Sequence, residues 1–264
     1  MSGSLVQHHL LFAACVILAT FTQSLTGFAF GLVLLGLVAA FHLAPLPVAA
    51  NVVTVMVLAN AALLVRRLPA LPRRLLLPSF GSSLAGVALG ACLLAWLSDH
   101  AIGAARIALG IAILACSVLL VIQTRTRTQL SSPGAFAFFG AVSGVMGGVF
   151  ASAGPPMVFH LYRQPLDRLV VRDTLVLLFA VNAVLRLLIV LAQGRFDAAS
   201  LMLSLEALPL VLLVTWLVRR YPPDWPPAAM RGAVFALLLA AGASLLLPVT
   251  HEPAVTSPSP IQPR

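Results

Sequence analysis

The sequence predicts an all-α polytopic membrane protein made of two inverted repeats. Each repeat is a glycine-rich broken or re-entrant helical hairpin followed by three transmembrane helices, about eight long helices in total. Three observations carry this reading. The 264 residues are 61% apolar and only 9% charged, with a mean hydropathy of +1.05, and several apolar runs reach the 18 or more residues that a membrane helix needs. The arginines gather in a few short connectors. Two apolar runs are interrupted by glycine in corresponding places, at Thr26–Gly31 and at Gly144–Pro156.

The apolar segments run over 5–25, 26–41, 48–65, 75–97, 101–122, 134–150, 155–162, 169–192, 198–218 and 231–248. Pro45 and Pro47 sit where the third segment begins, a position proline favours because its missing N–H is unpaired there in any case. Proline also marks the loops at Pro69, Pro72, Pro222, Pro223, Pro226 and Pro227. The repeats are placed at 5–122 and 134–248. A Pro- and Ser-rich tail over 249–264 reads as disordered, since it lacks the apolar residues to order itself.

All 16 Lys+Arg residues are arginine. Four connectors hold twelve of them: Arg66, Arg67, Arg73 and Arg74; Arg125 and Arg127; Arg163, Arg168 and Arg172; Arg219, Arg220 and Arg231. The formal charge of +9 therefore speaks to membrane orientation and against nucleic-acid binding. Basic connectors stay in the cytoplasm. Between Arg127 and Arg163 the chain must then leave the cytoplasm and return. The second arm, 155–162, is eight residues, about 12 Å of helix, and cannot cross a core of about 30 Å. It is expected to be re-entrant, turning at 152–156. The same count makes 5–41 a hairpin that opens outside and turns at 26–31. Both termini come out periplasmic, in a bacterial inner membrane. Met1–His9 has no Lys or Arg, so the basic region of a cleavable signal is missing. The three cysteines, Cys15, Cys92 and Cys116, lie in apolar runs and read as small buried residues rather than a disulfide or metal set. No metal or cofactor is expected.

The halves echo one another in sequence as well. Asn51 and Asn60 are nine apart, as are Asp173 and Asn182, and Ala59-Asn60-Ala61 matches Val181-Asn182-Ala183. Inverted repeats with interrupted segments at matching places are a transporter architecture, with the site at the midplane between the breaks. The hairpin Gly144–Pro156 followed by Arg163–Asp173, and its partner Thr26–Gly31 followed by Pro45–Asn60, resemble the two repeats of the TauE/SafE family of sulfite exporters, over about residues 10 to 248. The first turn departs from the family's richer form: it has Gly27 and Gly31 but no consecutive glycines. The resemblance implies a multi-pass permease or exporter of small anions, namely sulfite, organosulfonates or related sulfur-containing or organic anions. The expected partners are the anion and the lipid bilayer, and homo-oligomerisation is left open.

Several residues are candidates for the pathway. Gly27, Gly31, Gly147, Gly148, Ser152 and Gly154 belong to the two turns, where unwound backbone and a half-helix start offer free N–H groups to an anion. The competing reading is close helix packing, for which Gly144 and Gly148 have the small-xxx-small spacing. Asn60 and Asn182 are deep, and either bridge helices or line the pathway. Asn51 and Asp173, near helix starts, read as caps. Arg186 is an intramembrane charge and calls for a partner. Glu206 lies at a matching depth, so a structural Arg186–Glu206 ion pair is expected; the functional alternative keeps Arg186 as a pathway candidate that attracts the anion, or makes Glu206 proton-linked. His42 and His160 sit near the ends of the short hairpin arms and read as interfacial.

Two other function classes remain. Gly140-Ala-Val-Ser-Gly144 has a rhomboid-like look, and Ser143 with His160 would make an intramembrane serine hydrolase; that chemistry needs the two side chains in hydrogen-bond reach. A non-transporting membrane scaffold is the third. Neither accounts for the inverted charge plan, so the chain is expected not to be an enzyme.

Overall fold

In a computed structural model, residues 2–26, 29–64, 71–121, 127–221 and 227–246 are described. Gly27 and the tail 249–264 lie outside the described residues. These residues form α1 (Ser2–Thr26), α2 (Phe30–Ala40), α3 (Leu46–Leu64), α4 (Arg73–His100), α5 (Ile102–Val121), α6 (Pro133–Phe150), α7 (Gly154–Tyr162), α8 (Arg168–Ala192), α9 (Ala198–Arg220) and α10 (Pro227–Leu246). Eight are long and two, α2 and α7, are short. Five have the length and apolar composition to cross a membrane, and α2, α3, α5 and α10 contribute shorter apolar stretches. The protein is an all-helical, multi-pass membrane protein.

Each short helix follows a break. Ser132 caps α6, its hydroxyl accepting from the Ala135 N–H at 3.4 Å. The helix ends at Ala151, which takes the left-handed conformation at φ 51°. α7 then starts with Pro155 and Pro156 in its first turn. That is where proline is tolerated, so the pair restarts a helix rather than kinking one.

Helices α2 and α3 form the centre. α2 is apolar on all sides and buried over most of its length, as expected of a helix that no solvent or lipid reaches. The large core cluster surrounds it, with residues from α1, α3, α5, α9 and α10. A smaller cluster joins Leu71 and Leu75 of the α4 start to Phe136 of α6, Leu161 of α7 and Leu175 of α8. The packing list has a regularity: moving every helix five places along the chain maps α1–α9 onto α6–α4, α3–α9 onto α8–α4, α2–α3 onto α7–α8 and α2–α10 onto α7–α5.

The tightest seam is α4 against α6. The two run parallel, and Gly140, Gly144 and Gly148 of α6 sit on the backbone of α4. A methyl group at Gly140 would come within 2.5 Å of the Ser79 carbonyl oxygen, and one at Gly144 or Gly148 would overlap the Ser83 or Val87 carbonyl. Small residues at this spacing let backbones touch, which is how membrane helices gain van der Waals contact where lipid offers no hydrophobic drive.

The hairpins open toward opposite ends of the bundle. The second is tied at its mouth: the Arg127 N–H donates to the Arg163 carbonyl at 2.8 Å, and Gln164 bonds both the N–H and the hydroxyl of Ser131. This end also holds the α4 start, through the Leu71–Phe136 cluster. The first hairpin ends at His42, whose Nε2 accepts from Arg106 of α5 at 3.1 Å. That is the end where α4 finishes and Asp99 pairs with Arg195.

Candidate substrate site

The two tips meet. A methyl group on Gly31 would stand 2.9 Å from the Ser152 Cβ. Beside this contact lies a cavity of about 50 Å³, bordered by Gln23, Thr54, Ser152, Phe179, Asn182 and Arg186 among others. At about 10–15 Å³ per water-sized group, it holds roughly four such groups. Of the turn residues singled out from sequence, Gly31, Gly147, Ser152 and Gly154 border it.

Arg186 dominates this site. It is 2% exposed. Its Nε donates to the Gly148 carbonyl at 3.0 Å, and its Nη1 to Thr54 Oγ1 at 2.6 Å and to Asn51 Oδ1 and the Ala50 carbonyl, both at 3.3 Å. Thr54 can accept because its own proton goes back to Ala50, four residues earlier, at 2.8 Å. Among the described residues Nη2 has no protein acceptor and no carboxylate pairs with the guanidinium. A charge buried in a membrane protein normally finds a countercharge. Here it finds only dipoles.

The expected Arg186–Glu206 pair is therefore corrected. Glu206 Oε2 lies 2.8 Å from His9 Nδ1 of α1. The reason is topological: α3 packs against both α8 and α9, which hardly touch each other. Matching depth on consecutive helices did not make them neighbours.

Other residues fall into place around this cation. The amide of Asn182 donates to Ser83 Oγ at 2.7 Å, and its buried Oδ1 has no partner. A half-turn of that amide keeps the Ser83 bond, with the hydroxyl donating, and presents Nδ2 to the place Oδ1 held. The Ser152 hydroxyl is also buried and unpartnered. Asn182 thus both bridges helices and borders the cavity. Asn60 does not border it; its amide reaches toward Gln23 Oε1 at 3.5 Å, and Gln23 is the one of the two that does. Gly148 contributes its carbonyl to Arg186, while its α-carbon serves the α4 seam.

The capping expectation for Asn51 and Asp173 is corrected as well. Asn51 lies inside α3, 2% exposed, and bridges to the α8–α9 turn through the Arg195 carbonyl at 3.0 Å and Ser200 Oγ at 3.1 Å. Asp173 lies inside α8 against the neighbouring Arg172, and α9 is capped by Asp197, which accepts from the Ser200 N–H at 2.8 Å. The Ser200 hydroxyl first, and then this N–H bond, hold the Asp197 carboxyl below the usual carboxylate range. Cys92 is exposed, whereas Cys15 and Cys116 are buried as expected.

No Ser–His dyad forms. Ser143 donates to the Ala153 carbonyl, and it thereby ties α6 to the break. His160 is not interfacial. It is 4% exposed, stacked on Phe139 at 4.4 Å and edge-on to Phe136 at 4.6 Å.

Sequence reasoning missed Gln23 and Thr54, and it read Asn51 as a cap. Gln23 carried a signal: an amide in an apolar run is expensive in lipid and marks interior or pathway. Thr54 is three residues after Asn51 on one helix face.

Comparison with known proteins agrees with this architecture. Residues 11–245 match the family model for the sulfite exporter TauE/SafE. The chain belongs to the TauE/SafE family. It is 34% identical over 230 residues to a protein of Cupriavidus necator described as a probable sulfite/organosulfonate exporter TauE, covering 87% of this chain and 90% of that one. It is also 33% identical over 103 residues to a probable inner membrane transporter protein, TsaS, of Comamonas testosteroni, covering 39% and 43% of the two chains. No solved structure matches.

Proposed function

We propose that this TauE/SafE-family protein is a secondary-type transporter of sulfite and similarly small sulfur oxyanions, and that the anion sits against Arg186 between the two hairpin tips. The observation that carries the reading is the state of Arg186: a buried guanidinium with no countercharge and one nitrogen without an acceptor, beside a cavity of about 50 Å³. A small oxyanion supplies what is lacking. It adds a negative charge and acceptors for Nη2 and for the Ser152 hydroxyl, and it takes a third hydrogen bond from Asn182 once that amide is turned so that Nδ2 replaces Oδ1. Arginine favours oxyanions because its planar fork donates two parallel hydrogen bonds. The printed descriptions of the relatives, sulfite/organosulfonate exporter and inner membrane transporter, fit a ligand of this kind.

The cavity sets a size preference. A cavity of about 50 Å³ suits a compact ion better than a sulfonate with a long organic tail, which needs the tips to part. The five-place regularity of the packing and the opposed hairpins support two repeats of inverted topology, at 5–122 and 134–248 in the sequence plan. With the basic connectors cytoplasmic, the α6–α7 mouth faces the cytoplasm of a bacterial inner membrane, and the α2 end and both termini face the periplasm. The site then lies between two gates, as alternating access requires.

The test is flux of radiolabelled sulfite into proteoliposomes. Wild type is expected to transport sulfite, with thiosulfate and sulfonates slower. Arg186→Gln is expected to lose at least tenfold, because one hydrogen bond to a charged group is worth about 1.5–3 kcal/mol, and Arg186→Lys to lie between. A panel of small anions with no flux in wild type overturns the reading. So does an Arg186→Gln variant that transports normally.

A further inference from the structure

Arg186 borders a second cavity. It lies on the side of the guanidinium toward the α8–α9 turn, between α3, α4 and α8, and is bordered by Asn51, Ala95, Ser98, Gln193 and Arg195 as well. Its volume is about 20 Å³, one or two water-sized groups. Arg195 stands at its rim, where the chain end of α4 meets the α8–α9 turn. The Arg195 guanidinium is bidentate on Asp99, with Nη1 to Oδ1 at 3.2 Å and Nη2 to Oδ2. Asn51 joins the two arginines directly: its Oδ1 accepts from Arg186 Nη1, and its Nδ2 donates to the Arg195 carbonyl.

We propose that this second cavity is the collapsed periplasmic-side leg of the anion route, that Arg195 is a second anion subsite at its mouth, and that the Asp99–Arg195 ion pair holds it shut. The proposal rests on the reading of Arg186 as the central anion site. The geometry supplies each part. One guanidinium faces both cavities, so an anion can pass from one to the other without leaving a positive charge. Asn51 is held by both arginines and registers the turn carrying Arg195 against the helix that holds Arg186. The ion pair is solvent-exposed, with 38% and 49% of the two side chains accessible. Exposed pairs contribute little to stability, so an arriving oxyanion can replace Asp99 on Arg195 at little expense. A gate must open in this way without unfolding anything. The leg is smaller than the central cavity, about 20 Å³ against about 50 Å³, so α4 and the α8–α9 turn separate to pass an anion, and the Asp99–Arg195 bond spans them.

Thiol labelling of the full chain in sealed vesicles tests this. In a background with Cys15, Cys92 and Cys116 replaced by alanine, Ala95→Cys is treated with an impermeant, anionic methanethiosulfonate, with and without methanesulfonate, which offers the sulfur oxyanion but, unlike sulfite, neither consumes the reagent nor cleaves the disulfide it forms. Labelling is expected from the side carrying the α4–α5 turn. Asp99→Asn is expected to speed it by up to about fivefold, the most that an exposed pair supplies, and methanesulfonate to slow it over the concentration range that protects Ser152→Cys. The exchanged pair Asp99→Arg with Arg195→Asp is expected to return labelling to the slow rate, which separates a gate from damage to the fold. If Ser152→Cys is protected by methanesulfonate but Ala95→Cys is never labelled, or is labelled at a rate that neither Asp99→Asn nor methanesulfonate changes, the periplasmic-side leg is wrong while the central site stands. If methanesulfonate protects neither cysteine, the central site fails and the subsite with it.

Discussion

The two hairpins do the same topological job with different chemistry. The first, α1–α2, brings Gln23, Phe30 and Gly31 to the cavity, with Gln23 its one polar side chain there among the described residues, and packs its short arm with apolar side chains on every side. The second, α6–α7, brings Ser152, the Gly148 carbonyl and a strained turn. The first is fixed by side chains and the second by backbone. Gly36 of α2 faces the Ala241 Cβ and the Ile113 Cδ1, whereas the α6 glycines face carbonyl oxygens of α4. One tip therefore acts as a shaped wall and the other as a rigidly mounted polar surface. A pair of gates built on such tips has one member that can yield and one that cannot.

The sharpest way to break this contrast is to add the same methyl group to both. At Gly144 the obstacle is the Ser83 carbonyl, which cannot turn away without moving α4. Overpacking by one methyl typically destabilises by about 1–3 kcal/mol, and a backbone obstacle belongs at or beyond the top of that range. Gly144→Ala is expected to leave little monodisperse protein in detergent. Gly36→Ala meets the Ala241 Cβ at 2.9 Å, which moves only with α10, and the Ile113 Cδ1 at 3.1 Å, the mobile end of its side chain; it is expected to lower the melting temperature by a few degrees, less than Gly144→Ala. Equal losses in a thermal-shift assay would erase the distinction between the two hairpins.

How much of this was legible beforehand follows the range of the interactions. The break at 151–153, the short second arm and the opposed mouths follow from local punctuation and from connector charge, both of which a linear sequence displays. The observed α6 and α7 bounds fall within one residue of 134–150 and 155–162. The partner of Arg186 was not legible. Depth along a helix can be counted from the sequence, but the azimuth that puts α3 between α8 and α9 is set by packing across the bundle. The same cause hid Asn51, which looked like a cap because it is near a helix start and in fact joins α3 to the α8–α9 turn. Gln23 was legible and passed over. The glycines of α6 divided along both lines of reasoning: Gly144 is purely packing, Gly147 borders the cavity, and Gly148 does one job with its α-carbon and another with its carbonyl.

A smaller effect tests whether the tips act as one unit. Gly31→Ala places its methyl against Ser152 and is expected to cut sulfite flux about tenfold by filling the cavity mouth, with a loss of melting temperature no larger than that of Gly36→Ala. Ser152→Gly removes the hydroxyl and is expected to weaken sulfite binding by a similar factor, since a bond to a charged ligand is worth about 1.5–3 kcal/mol. In the double variant the space that alanine needs is restored. The combined loss is then expected to be smaller than the product of the two, the non-additivity typical of residues in contact. Strict multiplicativity in proteoliposome flux would mean that the two tips do not share the occupied site.

The smallest effect concerns the strain at the second tip. Ala151 has φ 51°, where an L side chain crowds the following carbonyl oxygen at a cost of about 1–2 kcal/mol. Ala151→Gly removes that penalty and adds about 0.4–1 kcal/mol of unfolded-chain entropy, so the net gain is expected to be a few tenths to about 1 kcal/mol, seen as a small rise in melting temperature. Strain kept at a site is usually kept for what the site does. Relaxing it lets the chain between α6 and α7 leave the conformation that points Ser152 at Gly31. The variant is therefore expected to be slightly more stable and slower in flux. The first hairpin offers the control: His42, at φ 53°, lies far from the tip and holds Arg106, so His42→Gly trades strain for a lost hydrogen bond and is expected to leave flux unchanged. A faster Ala151→Gly protein would show that the rigid tip limits transport instead of shaping the site.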